Sequence, residues 1–142
     1  LWLYEDELKT LPLSQDESSF LSGLPETASI QTSGQQILLS HFSYPDISGS
    51  TKMLPQSHSD VATHLEYMTQ HGFSLSFSGH GHPEGVMLCT DTSLKFHPFG
   101  IIQLDDTVKW VVLPPVVRSG RSSGASIYDS DLKTLLSVEL FS

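Results

Sequence analysis

The pattern of hydrophobic and polar positions predicts short strands early in the chain, with a turn between them. Residues 28–31 and 35–40 read as two strands, and residues 32–34 form the predicted turn. The second strand contains a continuous apolar run, Ile37-Leu38-Leu39. Such a run is typical of a strand that is buried on both faces. This strand ends at His41.

Two further segments are predicted to be helices. The first covers residues 16–24 and begins at a capping residue. The second covers residues 59–71, and its predicted apolar stripe consists of Val61, Leu65 and Met68. A third apolar strand is predicted at residues 73–77, directly after the second helix.

From residue 85 onward the pattern predicts only strands. These predicted strands cover residues 85–89, 94–96, 100–104, 108–113, 125–128 and 135–140. Asp105-Asp106-Thr107 fits a hairpin turn between two of them. Taken together, the elements predict a mixed α/β fold in a single domain that spans residues 1–142 and is β-rich after residue 85.

The helix at 59–71 lies between two apolar strands, which predicts a parallel crossover. A crossover of this kind places the carboxyl ends of the two strands side by side. The first end carries His41, and the second carries Gly79-His80-Gly81-His82. In layered α/β folds, ligands bind at this edge of the sheet. We therefore expect His41 and His80 to converge.

The histidines at these strand ends are candidate metal ligands, because imidazole is the commonest side-chain ligand near neutral pH. His80 and His82 would project to the same side if the backbone were extended. The neighbouring glycines would let a ligand approach closely. A pair of this kind is weak evidence alone in a chain with seven histidines, and a glycine-rich turn is the competing interpretation. The third histidine, His41, strengthens the metal hypothesis.

Charge and cysteine content narrow the class of protein. The chain has sixteen acidic and seven basic side chains, a net charge of −9, which argues against non-specific nucleic-acid binding. A small anionic substrate held by metal ions stays possible, since the local charge then dominates. The single cysteine, Cys89, is expected in the core and predicts a reducing, cytoplasmic setting. The apolar runs are too short for a membrane-spanning helix.

The remaining histidines and the two arginines are weaker candidates. The histidines in or beside the second helix, and His97 near a predicted turn, are expected at the surface; those near the helix are His58, His64 and His71. Arg118 and Arg121 are the only arginines and share one glycine- and serine-rich loop. Such a loop favours either phosphate binding or a plain surface role.

The HxH pattern also occurs in cupin-like barrels, which provide an alternative. A cupin needs a later Glu followed by a later His, whereas here His97 precedes Glu139. The helix predicted between His41 and His80 also fits a cupin barrel poorly.

Several motifs in their order resemble those of calcineurin-like metallophosphoesterases, particularly the small single-domain phosphodiesterases of bacteria and archaea. The similar segments are Phe20-Leu21-Ser22-Gly23-Leu24-Pro25, residues 36–45, Gly79-His80-Gly81-His82, residues 113–121 and Ala125-Ser126-Ile127-Tyr128. The resemblance covers about residues 18–140. The chain departs from the family where Asn-Pro-Gly is replaced by Leu113-Pro114-Pro115, where Phe42 stands for a glycine, and in the extra segment 94–109.

The resemblance implies the C-terminal half of a four-layer α/β/β/α sandwich that hydrolyses a small phosphoester with a metal-activated hydroxide. It implies two divalent ions. Imidazole ligands suit Mn, Fe, Ni or Zn. His41 and His80 would bind one ion and His82 the other. Arg118 and Arg121 are candidate phosphate-binding residues.

The family's early motifs, DxH, GDxxD and GNHD, do not occur in this sequence. The residues implied for catalysis would therefore lie upstream of Leu1, so no catalytic residue is predicted here and little or no activity is expected of residues 1–142 alone. Two interpretations follow. In the first, the partner that completes the site is an N-terminal half of the same protein or a second copy in a homo-oligomer. In the second, the chain is a non-catalytic metal-binding or assembly module derived from this fold.

Overall fold

The computed structural model describes residues 12–50, 54–116 and 122–141. The described residues form a mixed α/β fold that is mostly sheet. The two helices are α1 (Gln15–Ser22) and α2 (Ala62–Gln70), and a 3-10 turn, His58–Val61, leads into α2. The strands are β1 (Thr27–Thr32), β2 (Gln35–Ser40), β3 (Leu75–Ser78), β4 (Val86–Thr90), β5 (Leu94–His97), β6 (Gly100–Gln103), β7 (Val108–Val112), β8 (Ser123–Asp129) and β9 (Thr134–Phe141).

The strands form two sheets. Sheet A has six strands in the order β1-β2-β3-β7-β4-β5, and sheet B has three in the order β6-β9-β8. Strand β2 pairs with β3 in parallel, which confirms the predicted crossover through α2. Strand β3 in turn pairs with β7 in parallel, so three carboxyl ends lie along one edge of sheet A.

The central strands of sheet A are buried on both faces, which explains the apolar run in β2. Ile37 belongs to a core cluster between the two sheets, together with Phe77, Val111 and Leu135. Leu38 is 1% exposed, and the opposite face holds a second cluster in which Val61, before α2, meets the β7 and β4 side chains of Trp110, Val112 and Cys89. The described residues therefore make three layers, α/β/β.

No described residue covers the outer face of sheet B. Register pairs Ile101 and Ile127 with Leu136, and Ala125 with Val138, so these side chains share a face. The exposed large apolar residues of this face are Ile101, Ile127, Leu136, Val138 and Leu140. Helix α1 likewise buries no residue. Contiguous apolar surface of this kind marks a site of interaction.

Two further sequence predictions are confirmed by this fold, and a third is wrong. Helix α1 is confirmed and begins at a capping box, in which the Glu17 backbone N–H binds the Ser14 side chain and the Glu17 carboxylate accepts from the Ser14 backbone. Cys89 is fully buried, as predicted. The hairpin at Asp105-Asp106-Thr107 is wrong: the Asp105 side chain does organise a turn, but β6 and β7 lie in different sheets. Within the described residues, neither helix is long and apolar enough to cross a bilayer.

Candidate metal centre

The site lies where the parallel strands β2 and β3 end. Ser40 and Ser78 are register partners at the last position of each strand. The Gly79 backbone N–H then donates to the His41 carbonyl oxygen over 3.1 Å, so the pairing continues one step past the strands. The chain therefore brings His41 and His80 together at the carboxyl edge of sheet A.

The side chains of His41 and His80 face each other. Nε2 of His41 is 3.1 Å from Nδ1 of His80, and the rings meet edge to face with centroids 5.0 Å apart. The predicted convergence of these two residues is confirmed. Without a metal this contact is a hydrogen bond between two imidazoles, and the tautomers decide which ring donates.

The separation of the two nitrogens also fits a shared metal ion. Metal–nitrogen bonds of about 2.0–2.1 Å at octahedral to tetrahedral angles place two ligand nitrogens about 2.9–3.4 Å apart. The observed 3.1 Å lies within that range. The spacing of the two nitrogens is therefore compatible with adjacent ligands of one divalent ion.

The turn that carries His80 and His82 is not extended. His80 has φ 51° and His82 has φ 44°. Both values lie in the left-handed region that residues other than glycine rarely adopt. The expectation that the two rings project together from an extended backbone is therefore wrong. Strained residues of this kind cluster at functional sites, where the surrounding structure holds them in place.

The segment 42–50, called the site loop here, packs directly on the histidine pair. A Cβ added to Gly49 would lie 2.5 Å from Nδ1 of His80 and 2.6 Å from Cδ2 of His41. Only a glycine fits this position, which has φ +68°. The loop is closed by the Asp46 carboxylate, which accepts from the backbone N–H and the hydroxyl of Ser50 at 2.8 and 2.7 Å.

The electrostatics of the site favour neutral imidazole at His41. Partial burial lowers the pKa of His41, and the neighbouring His80 lowers it further, while the Asp46 carboxylate raises it in part. A neutral ring keeps a lone pair free for a metal ion at neutral pH. The protonation state of His41 therefore suits a ligand.

Sequence reasoning placed His64 at the surface, and this prediction is wrong. His64 is fully buried. Its Nδ1 accepts from the Tyr44 backbone N–H at 3.0 Å, so the neutral ring carries its proton on Nε2, which lies 3.2 Å from the Ser76 hydroxyl. The signal was present, because His64 falls between Val61 and Leu65 on the apolar stripe of the helix.

We expect His64 to make the protein less stable at acid pH. Burial lowers the pKa of His64 from 6.5 to about 4, so the unfolded chain binds a proton that the folded chain excludes. Stability should fall as the pH drops from about 6.5 to about 4, by a total of about 3 kcal/mol. Urea unfolding across this range, in the wild type and in His64→Leu, measures the difference.

The control for this experiment is His71→Leu, since His71 is the C-cap of the same helix and is exposed. This variant should keep the acid sensitivity of the wild type, because it leaves His64 in place. Equal slopes in the wild type and His64→Leu would show that another group causes the acid sensitivity.

The other predicted site residues are not gathered at this pair. His82 is half-buried on the same turn, and within the described ranges no group of three or more His, Cys, Asp or Glu side chains could hold a metal ion. His97 lies on β5, which is on the edge of sheet A. Arg118 and Arg121 lie outside the described residues.

No protein-family model matches this chain, and no curated protein or solved structure matches it significantly.

Proposed function

We propose that this chain is the C-terminal half of a metal-dependent phosphoesterase of the calcineurin-like type. The observation that carries the proposal is the contact between Nε2 of His41 and Nδ1 of His80 at the carboxyl ends of two parallel strands. The motif order described above favours phosphoester hydrolysis over other metal chemistry. In that chemistry, bound divalent ions activate water and stabilise charge on the phosphoryl oxygens.

The chain's own residues would have distinct roles. His41 and His80 would hold one ion, and His82 would contribute to a second. Arg118 and Arg121 would bind phosphate oxygens as bidentate cations. The substrate would be a small phosphoester rather than a nucleic acid, since the net charge is −9. A cytoplasmic location belongs to the same proposal, because the only cysteine is a buried thiol.

The outer face of sheet B and a cleft beside it support an additional polypeptide layer. Nothing among the described residues covers a row of apolar side chains on that outer face, among them Ile127, which is 69% exposed. The cleft between the two sheets is open, has a volume of about 400 Å³ and is lined by Ile30, Ile37, Leu39, Phe77, Leu113, Leu135 and others. A four-layer α/β/β/α sandwich would cover the sheet face with helices, and a further segment would fill the cleft.

Metal binding by the histidine pair tests the proposal. Titration of the chain with Zn²⁺ or Ni²⁺, followed by calorimetry, should show binding that His41→Ala and His80→Ala each weaken at least about tenfold. His71→Ala is the matched control, because this histidine is exposed on α2 and away from the strand ends. Equal affinity in the wild type and both site variants would refute the site.

The rate of phosphodiester hydrolysis distinguishes a complete enzyme from a C-terminal half that lacks part of the site. With metal added, residues 1–142 should hydrolyse a phosphodiester model substrate weakly or not at all, since the described residues bring only two ligands together. Vigorous turnover by this polypeptide would refute the proposal that it is half of a site.

A non-catalytic metal-binding module is the second candidate, and the pairing of only two converging ligands in the described residues favours it. Phosphate binding distinguishes the two. A phosphoesterase half should gain thermal stability from inorganic phosphate only when the metal is bound, because the ion keeps positions open for phosphate oxygens. A module built only to bind metal should show no such coupling.

A further inference from the structure

We propose that His64 is a positioning residue for the His41–His80 pair, acting through the site loop. This inference rests on the proposed metal site, and it assigns a role to a buried histidine that lies outside that site. His64 does not contact either ligand ring in the structure. It holds the loop that packs against both of them.

The first link is a hydrogen bond from the loop to the helix. The backbone N–H of Tyr44 donates to Nδ1 of His64 over 3.0 Å. Because this N–H belongs to the site loop, the bond fixes the loop relative to α2. The other ring nitrogen reaches the hydroxyl of Ser76 on β3 at 3.2 Å. One imidazole thus ties together the loop, the helix and the strand that leads to His80.

The second link is a series of ring contacts. The His64 ring packs on Trp110 with centroids 5.4 Å apart. Trp110 meets Phe42 of the site loop at 6.2 Å, and Phe42 lies against His80 at 4.5 Å. Trp110 also donates from Nε1 to the Ser78 hydroxyl at 2.8 Å, two residues before His80. The interior therefore joins His64 to His80 by continuous packing.

The third link is the steric fit of the loop on the ligands. Gly49 lies so close to both rings that a Cβ there would have to displace the loop or the rings. A displacement of the loop by a fraction of an ångström would therefore either press on the rings or release them. Groups that orient metal ligands from outside typically change metal affinity by about 10–100-fold when they are removed.

Two substitutions at His64 separate positioning from packing. His64→Asn keeps an acceptor near the place of Nδ1, whereas His64→Leu keeps the volume and leaves the Tyr44 N–H without its acceptor. We expect His64→Leu to weaken Zn²⁺ binding about tenfold and His64→Asn to stay within about threefold of the wild type. A role in packing alone predicts the reverse order, because leucine fills the space better than asparagine.

Wild-type affinity in His64→Leu, or an equal decrease in both variants, would overturn the inference. A readout without metal guards against variants that fail to fold. Nuclear magnetic resonance of the wild-type imidazoles should show His64 protonated on Nε2, and the opposite tautomer would refute the proposed bond to Tyr44.

The two proposals fail in different ways. A wild-type chain that binds no Zn²⁺ refutes the metal site. The metal-free spectra then still test positioning, because close contacts between the His41 and His80 rings should be present in the wild type and weaker in His64→Leu. Unchanged contacts in that variant would refute the role of His64 alone.

Discussion

Replacing Trp110 with alanine should destabilise the protein by about 3–5 kcal/mol, which is the usual cost of removing a large buried aromatic side chain. Trp110 is completely buried in β7. It lies between β3 and β4, opposite Ser76 on one side and Cys89 on the other. Since native domains have only about 5–15 kcal/mol of stability, this one change should remove a large fraction of it. Urea unfolding followed by far-ultraviolet circular dichroism measures the effect.

Two further variants separate the contribution of the hydrogen bond from that of the buried volume and provide an exposed control. Trp110→Phe keeps most of the apolar volume but loses the hydrogen bond from Nε1 to the Ser78 hydroxyl, so it should cost about 1–3 kcal/mol. Phe96→Ala removes an aromatic ring that is 57% exposed on the edge strand β5. It should change the stability by no more than about 0.5 kcal/mol. If Trp110→Ala cost as little as Phe96→Ala, the face of sheet A against α2 would not be a packed core.

The prediction of the parallel crossover succeeded because its information is local. An apolar strand, an amphipathic helix and a second apolar strand follow one another directly, and the handedness of such units leaves few arrangements. That arrangement alone sets the ends of β2 and β3 side by side. The meeting of His41 and His80 follows from it.

The partners of the later strands could not be predicted in the same way. The turn at Asp105 forms as its residues require, with the Thr107 backbone N–H donating to the Asp105 carboxylate at 2.8 Å. Whether the flanking strands pair with each other depends on strands far away in the sequence. Here β6 pairs with β9, and β7 pairs with β3 and β4. A turn motif carries no information about that competition.

The parts of the site that sequence reasoning missed share one cause, which is the dependence of polar groups on tertiary partners. The sequence predicts His64 at the surface, although its position on the helix matches that of the apolar stripe. It is buried because Tyr44 and Ser76 satisfy both ring nitrogens. The role of Gly49 was equally hidden, since a glycine in a loop of serine, proline and glycine gives no sign of what it contacts.

Replacing Gly49 with alanine should abolish measurable metal binding by the histidine pair. The new methyl carbon would lie 2.5 Å from Nδ1 of His80 and 2.6 Å from Cδ2 of His41. Nδ1 of His80 is one of the two nitrogens that would bind the proposed ion. Contacts this short cannot persist, and because the hydrogen bonds between Asp46 and Ser50 hold the loop closed, the two rings have to separate. With metal–nitrogen bonds of about 2.0–2.1 Å, an increase of about 1 Å in the 3.1 Å between the two nitrogens takes the pair outside the range for adjacent ligands of one ion. Calorimetric titration with Zn²⁺ measures the change.

The matched control for this prediction is Gly34→Ala, in the turn between β1 and β2. Gly34 has φ +75°, close to the +68° of Gly49, but a Cβ there would meet nothing within 4 Å. Both variants should therefore lose about 1–2 kcal/mol from the left-handed backbone alone. Only Gly49→Ala should lose metal affinity, because only its methyl group enters the space beside the imidazoles. If both variants bound Zn²⁺ like the wild type, the ion would have to bind away from the contact between His41 and His80, and the proposed centre would be wrong.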